Sequence, residues 1–523
     1  MLALVLTRKR RILGFVALYF LFFHRLADRD LWSSHEARAA MDAESILAGD
    51  WGLPHLHDGR AELQKPPLYY WLVALTAQLR GGAVDAWAVR LPAALSALGC
   101  VVLLTWFGRR IGRPGAGLLA AAILATAIHF PWLARIGRID MPLTFTVSVA
   151  CIAFYLPNST CGLAETLAKP QAAQTTPSTS LLFIGYLAVA AGILLKGPIG
   201  VVLPVVVLLT NRLTSPRTPH SALRTPHSLW WGVPLVLALT VPWFLWANAA
   251  SDGAFFHEFF WHHNVERGLG GSTLHSHVWY LYLLFFANDF LPWTPLLLVS
   301  AVIAWRRGWL RTDSDARFGF TWLTAIIGVL SCASFKRADY LLPAYPGAAL
   351  FLACIVIRLA EQWKETSQRL SILRIGMGFL VAAVVVAWIV RVEFGLPAEE
   401  PFRDYRRFAQ AVREVAPSPG SIVFFQTEAH ALAFHVGRPL SVVVQWEELQ
   451  AKLTANEAAV VVMPPESAEQ WPNHLRGVRL RELLKNTDLN GGRHERPLIL
   501  LRAELESTAC PTSQSCRRSP TSR

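Results

Sequence analysis

Hydrophobic positions in this chain fall in long runs, and the polar positions gather between them. A bilayer crossing needs about 20 apolar residues. Runs at 12–27, 88–107, 115–134, 140–156, 180–195, 198–211, 229–249, 278–304, 317–335, 341–358 and 371–391 give eleven candidate spans, and thirteen if the longer and shorter runs divide differently. After Arg391 the pattern changes. Short apolar runs at Ile422–Phe425, Leu440–Val444, Val460–Met463 and Leu498–Leu501 suit strands, and 403–415, 428–436 and 446–453 suit helices. The chain therefore reads as a mainly α polytopic membrane protein over 1–391. A small α/β domain follows over 392–505, then a Ser-, Thr- and Arg-rich tail over 506–523 that predicts disorder. Residues 28–87 form a long first loop with juxtamembrane helices, and 157–179 is a Pro-, Ser- and Thr-rich linker.

Composition agrees: 53% of residues are hydrophobic and 16% charged, where soluble domains carry about 25% charge. In that setting a net charge of +13 points to basic loops beside anionic lipid and not to nucleic acid. The seven cysteines show no C-x-x-C and no repeated spacing, so neither a disulfide framework nor a zinc site is signalled. Arg8–Arg11 followed by an apolar run without a small-residue cleavage site reads as an uncleaved first span. With that end in the cytoplasm, the loops holding Arg109, Arg110 and Arg113; Arg212, Arg217 and Arg224; Arg306, Arg307 and Arg311; and Arg358, Lys364, Arg369 and Arg374 are all inside, as positive loops should be. The C-terminal domain then lies outside.

Against that rule, Arg38, Lys65, Arg135, Arg138, Lys196, Arg267, Lys336 and Arg337 fall outside. Some are solvated loop charges; others answer a need for an anion, such as a lipid phosphate. Ser33-x-x-Glu36 forms a capping box for a helix over 34–48 that Gly49 stops, and Arg38 and Asp42 stand one turn apart. Lys65-Pro66-Pro67 precedes an apolar helix, Leu68 to Leu79, and Lys196-Gly197-Pro198 repeats the device. A lysine at a helix start is disfavoured by the dipole unless an anion lies between it and the open N–H groups; the alternative is an interfacial anchor. Asp140, in Arg135-Ile136-Gly137-Arg138-Ile139-Asp140, is either a helix-start charge or functional. The loop 250–277 clusters His257, Glu258, His262, His263, Glu266, His275 and His277, yet no spacing there matches a zinc signature. No resident cofactor is signalled; a divalent metal stays an open alternative.

Together Glu36-Ala37-Arg38, Gly49-Asp50-Trp51, Gln64-Lys65-Pro66-Pro67-Leu68-Tyr69-Tyr70-Trp71, Arg135 to Pro142, Lys196-Gly197-Pro198 and Lys336 to Pro346 resemble the membrane glycosyltransferases of the C fold (GT-C). Among these the chain is similar to the bacterial aminoarabinose transferases and the dolichyl-phosphate-mannose–protein mannosyltransferases. The motifs run in family order over about 1–350. The resemblance implies transfer of a sugar from a polyprenyl-phosphate donor, usually with inversion, to a hydroxyl or phosphate of a glycolipid, glycan or protein. It implies that Arg38, Lys65 and Lys196 hold the phosphate, with Arg138 and Lys336 as further cations and Tyr340 lining the cavity. Two positions depart from the pattern. His35-Glu36 stands where the family usually has Asp-Glu, so the base is Glu36, His35 or Asp140. Gln64 stands where the aminoarabinose transferases often have Glu.

The sequence thus predicts a glycosyltransferase of the bacterial inner membrane with its site on the outer side. A transporter or flippase of lipid-linked sugars is the alternative; it should show polar breaks near mid-membrane in matching halves, which the chain lacks.

Overall fold

A computed structural model describes residues 8–159, 179–216, 227–266, 277–363, 367–416, 420–437, 439–455 and 457–505. Most of the 157–179 linker, the 506–523 tail, and Arg267 and His275 lie outside these residues. The chain divides into two compact units, one of Met1–Leu56 with Ala61–Ala398, the other of His57–Arg60 with the residues from Glu399 onward.

The first unit is helical. Among all the described residues, six helices have the length and composition of membrane spans, including Ala86–Arg110, Thr179–Lys196 and Leu229–Ala250 in this unit. Shorter apolar helices, such as Pro114–Ala125 and Ile199–Leu213, pack among them. Two expected spans are divided. The 115–134 run is two helices, Pro114–Ala125 and His129–Ala134, and the 278–304 run is a pair, Leu281–Asp289 and Thr294–Arg306, bent by 114°. Each break is followed by a proline in the first turn of the next helix, Pro131 in one and Pro295 in the other, and Pro292 lies within the second; proline has no N–H to continue the backbone ladder.

Seven N-terminal helices position the site: α1 (Arg8–Phe22), α2 (Ser34–Ala48), α3 (Leu68–Gln78), α4 (Ala86–Arg110), α5 (Pro114–Ala125), α6 (His129–Ala134) and α7 (Asp140–Ser159). The Ser33 hydroxyl accepts from the Glu36 N–H and starts α2; Gly49, at φ +126°, closes it through its N–H to Ile46. The other half of the expected capping box is not used, because the Glu36 carboxylate is taken by arginines instead. Arg38 and Asp42 do not pair either: Arg38 turns to Glu62 and Gln64. Glycines let α4 and α5 touch, since a Cβ on Gly108 would come within 2.4 Å of the Gly117 Cα.

The second unit holds a five-stranded sheet of β1 (Ile422–Phe425), β2 (Ser441–Val443), β3 (Val460–Met463), β4 (Val478–Lys485) and β5 (Ile499–Leu505), in the order β2-β1-β3-β5-β4. β1 pairs in parallel with β2 and β3, and β5 pairs antiparallel with β3 and β4. Strand β4 escapes the sequence reading because its apolar residues alternate with Arg479, Arg481 and Glu482 at the sheet's edge instead of forming a run.

Candidate functional site

One cavity of about 130 Å³ gathers residues from across the first unit. His35, Arg38 and Ala39 come from α2, Gln64 and Lys65 from the segment before α3, and Tyr69 and Tyr70 from α3. Gly137, Arg138, Ile139 and Asp140 come from the α6–α7 junction, Lys196 from the end of Thr179–Lys196, and Phe335, Arg337 and Tyr340 from the turn before the last buried helix.

Of the residues the sequence put forward, His35, Arg38, Lys65, Arg138, Asp140, Lys196 and Tyr340 line this one cavity. Glu36 and Lys336 do not. Glu36 is fully buried; its carboxylate accepts from Arg90 Nε at 2.6 Å, Arg29 Nη1 at 3.3 Å and the Gly137 N–H at 3.0 Å. Burial pushes this carboxyl up, but the Arg29 and Arg90 guanidiniums outweigh it and hold it at about 2. A carboxylate so occupied, and outside the cavity, is an anchor and not a base. It ties α2, α4 and the 135–139 loop together. Lys336 donates to the carbonyls of Ala333 and His277, so its ammonium secures the turn while the next side chain, Arg337, lines the cavity.

The cations that do line it are braced by carboxylates. Arg38 donates to Glu62 Oε2 at 2.5 Å and to Gln64 Oε1 at 2.9 Å. Burial works against the Arg38 charge, but Glu62 and the other acidic groups around it together outweigh burial and raise its pKa. Lys196 Nζ donates to Asp140 Oδ1 at 2.6 Å and lies 3.9 Å from the centre of the Tyr340 ring. Arg138 Nε is 3.2 Å from Asp140 Oδ2, and its Nη1 is 2.5 Å from Asp339 Oδ2. Lys196 was expected to open a helix; it ends one, where a cation favours the dipole, and Gly197 turns the chain at φ +73°. Asp140 does open α7.

Lys65 is the least braced. Its Nζ lies 3.4 Å from His35 Nδ1. Burial, partly opposed by Glu62, pushes its pKa down to about 8. On the other side of the ring, Arg337 Nη1 is 3.5 Å from His35 Nε2. The Lys65 charge, burial and the three nearby guanidiniums hold His35 far below the usual imidazole range, so the ring is neutral and offers a lone pair. Arg38, Lys65, Arg138, Lys196 and Arg337 supply five positive charges; Glu62, Asp140 and Asp339 return three negative ones. Asp42 adds none, because burial and Glu62 drive its carboxyl well above the usual range. The cavity is left with an excess of positive charge, which suits an anionic ligand.

Arg29, Arg90, Glu62 and Asp339 were not singled out as site residues, and Arg337 was named only among the outer cations. Arg90 carried a signal, an arginine inside an apolar run; Glu62 carried none. Among the described residues no group of three His, Cys, Asp or Glu side chains gathers as a metal site. Two of the loop histidines pair with carboxylates, His263 with Glu258 at 3.0 Å and His262 with Glu266 at 2.7 Å. The first pair is five residues apart, which the π-helix His257–Glu266 brings onto one face.

Comparison with known proteins shows what the chain is similar to. Residues 11–264 match the family model for dolichyl-phosphate-mannose-protein mannosyltransferase. Over the whole chain the fold is that of the GT-C membrane glycosyltransferases. Archaeal oligosaccharyltransferase AglB from Archaeoglobus fulgidus superposes with a TM-score of 0.55 at 11% identity, over 87% of this chain and 69% of its own. Within the class the resemblance is to the aminoarabinose transferases. The crystal structure of ArnT from Cupriavidus metallidurans bound to undecaprenyl phosphate superposes with a TM-score of 0.75 at 20% identity, over 97% of this chain and all of its own. The undecaprenyl phosphate-alpha-4-amino-4-deoxy-L-arabinose arabinosyl transferase of Aeromonas salmonicida is 26% identical over 376 residues, 71% of this chain. That of Pseudomonas fluorescens Pf-5 is 27% identical over 339 residues, 64% of this chain. The chain spans 64% and 57% of these two relatives' own length. The protein is a multi-span membrane protein of this fold.

Proposed function

We infer that the chain is a glycosyltransferase that moves a sugar from a polyprenyl-phosphate donor to a hydroxyl or phosphate acceptor on a glycolipid, glycan or protein. The observation that carries this reading is the convergence of Arg38, Lys65, Arg138, Lys196 and Arg337 on one cavity beside membrane-spanning helices. In transfer the acceptor oxygen bonds to the anomeric carbon, the bond from that carbon to the phosphate oxygen breaks, and the polyprenyl phosphate leaves with the electron pair. Charge grows on the phosphate as the bond breaks. Fixed cations stabilise that growth without having to reorient. A hydroxyl acceptor must also lose a proton, a service worth about 10²–10⁴-fold. His35 faces the cavity with a lone pair; the surrounding cations oppose its protonation, and an anionic phosphate among them relieves that opposition. Asp140, held by Lys196 and Arg138, is the second candidate. A phosphate acceptor, already ionised, dispenses with the base.

The relatives' names, which are those of transferases acting with polyprenyl phosphates, also support this reading; nothing in the cavity favours transport of a lipid-linked sugar. We place the protein in the bacterial inner membrane with the cavity on the outer side, on the strength of the basic loops assigned inside. The test is release of polyprenyl phosphate from a synthetic polyprenyl-phosphate sugar by the full chain in lipid nanodiscs. Lys65→Ala and Arg38→Ala should abolish release; turnover near wild type in both would sink the assignment.

A further inference from the structure

Behind the cavity lies a polar layer that the proposed transfer leaves without a task. His129 opens α6 and is largely buried. Its Nδ1 lies 3.3 Å from Asp289 Oδ2 and 3.3 Å from the Tyr345 hydroxyl. Its Nε2 lies 3.5 Å from Asp339 Oδ1. The second oxygen of Asp339 accepts from Arg138 Nη1 at 2.5 Å and from Arg337 Nη2 at 3.2 Å. Both guanidiniums line the cavity, whereas His129, Asp289 and Asp339 do not. A continuous chain of contacts therefore runs from Asp289 through His129 and Asp339 to two of the five cavity cations.

Its members come from the start of α6, the end of the helix Leu281–Asp289, the 3-10 segment Ala338–Ala344 and the α6–α7 junction. No local sequence pattern brings these together. Asp289 Oδ2 is buried without a hydrogen-bond donor, a condition rare enough in folded proteins to need a reason. The ring beside it has a carboxylate at each nitrogen.

We propose that His129 is a positioning residue, a two-sided clasp that holds Asp339 so that Arg138 and Arg337 present their guanidiniums to an anionic lipid phosphate in the cavity. The proposal rests on the reading of the cavity as a polyprenyl-phosphate site. A guanidinium fixed from behind meets the phosphate already oriented; a mobile one has to be ordered as it binds.

The test uses the full chain in lipid nanodiscs, with undecaprenyl phosphate as the probe and tryptophan fluorescence as the readout. His129→Gln keeps a polar side chain but cannot span two carboxylates. It should weaken binding about tenfold, and so should Arg337→Gln. The double variant should bind no more than about twofold worse than either single one, because both changes disable the same device. Asp313→Asn breaks a separate pair, with Arg113 Nη1 at 2.8 Å; it reports general loss of stability and should leave the affinity unchanged. Wild-type affinity in His129→Gln overturns the clasp, as do single effects that multiply in the double variant, or an Asp313→Asn loss equal to that of His129→Gln. Failure of the wild type itself to bind overturns the polyprenyl-phosphate reading and the clasp with it; binding by the wild type and equally by His129→Gln overturns the clasp alone.

Discussion

Lys65 is the side chain whose charge the cavity holds least firmly. Burial brings its pKa down to about 8, so the ammonium is intact below that pH and is lost as pH rises through it. A phosphate monoester is already fully ionised there, its second pKa being about 6. Affinity for undecaprenyl phosphate should therefore be level near pH 7 and fall above pH 8, and Lys65→Arg should abolish the fall; titrations at several pH values check both. Glu36 is a different case. Its neutralisation leaves Arg29 and Arg90 buried without their shared anion, a loss of about 3–5 kcal/mol for a broken buried pair. Glu36→Gln should lower the melting temperature and the folded yield, whereas Lys65→Ala, whose ammonium lies against the His35 ring and, among the described residues, in no carboxylate pair, should remove activity with the fold kept. The stabilisation from Glu36 is present above its ordinary pKa of 4.5 and is lost as pH falls through about 2. The sequence shows a carboxylate here but not its task. Its partners, Arg29 and Arg90, come from the start of the first loop and from near the start of α4, and only packing brings them together.

Turns at helix ends aim the cavity side chains. Gly197 sits at φ +73°, and a Cβ there would come within 2.4 Å of the Phe259 ring. An alanine is strained on both counts, and Lys196, one residue earlier, is displaced from Asp140. Gly197→Ala should weaken polyprenyl-phosphate binding about tenfold, an effect of the size expected when a preorganised contact is lost. Binding and thermal melting, measured together, separate that local effect from general unfolding. The helix starts at Ser34 and Asp140 were legible because capping residues and first-turn acids act within a few residues. The choice between Lys336 and Arg337 was not. Adjacent side chains on a tight turn point in different directions, and the turn's orientation is set by Tyr282 and the carbonyls it packs against.

At the scale of the molecule, the hydrophobic runs fix a multi-span membrane protein, and the basic loops between them support the orientation proposed above. A periplasm-active reporter joined after Arg391 should be active, and one joined after Arg110 should be silent; the reverse pattern refutes the orientation. The resemblance to GT-C enzymes was carried by motifs within the first 350 residues. The small sheet was legible at β1, β2, β3 and β5 as apolar runs, while β4, with charges on alternate positions, was hidden by its own solvent-facing side.

The sequence by itself determined the membrane class, the helix starts and the presence of cations beside the bilayer, because burial cost, capping and dipole effects depend on a residue and its near neighbours. Tertiary structure alone decided which of those cations share a cavity, that Glu36 is an anchor, and that His129 stands behind Arg138 and Arg337. Those outcomes depend on distances between residues far apart in the chain, which no local pattern encodes.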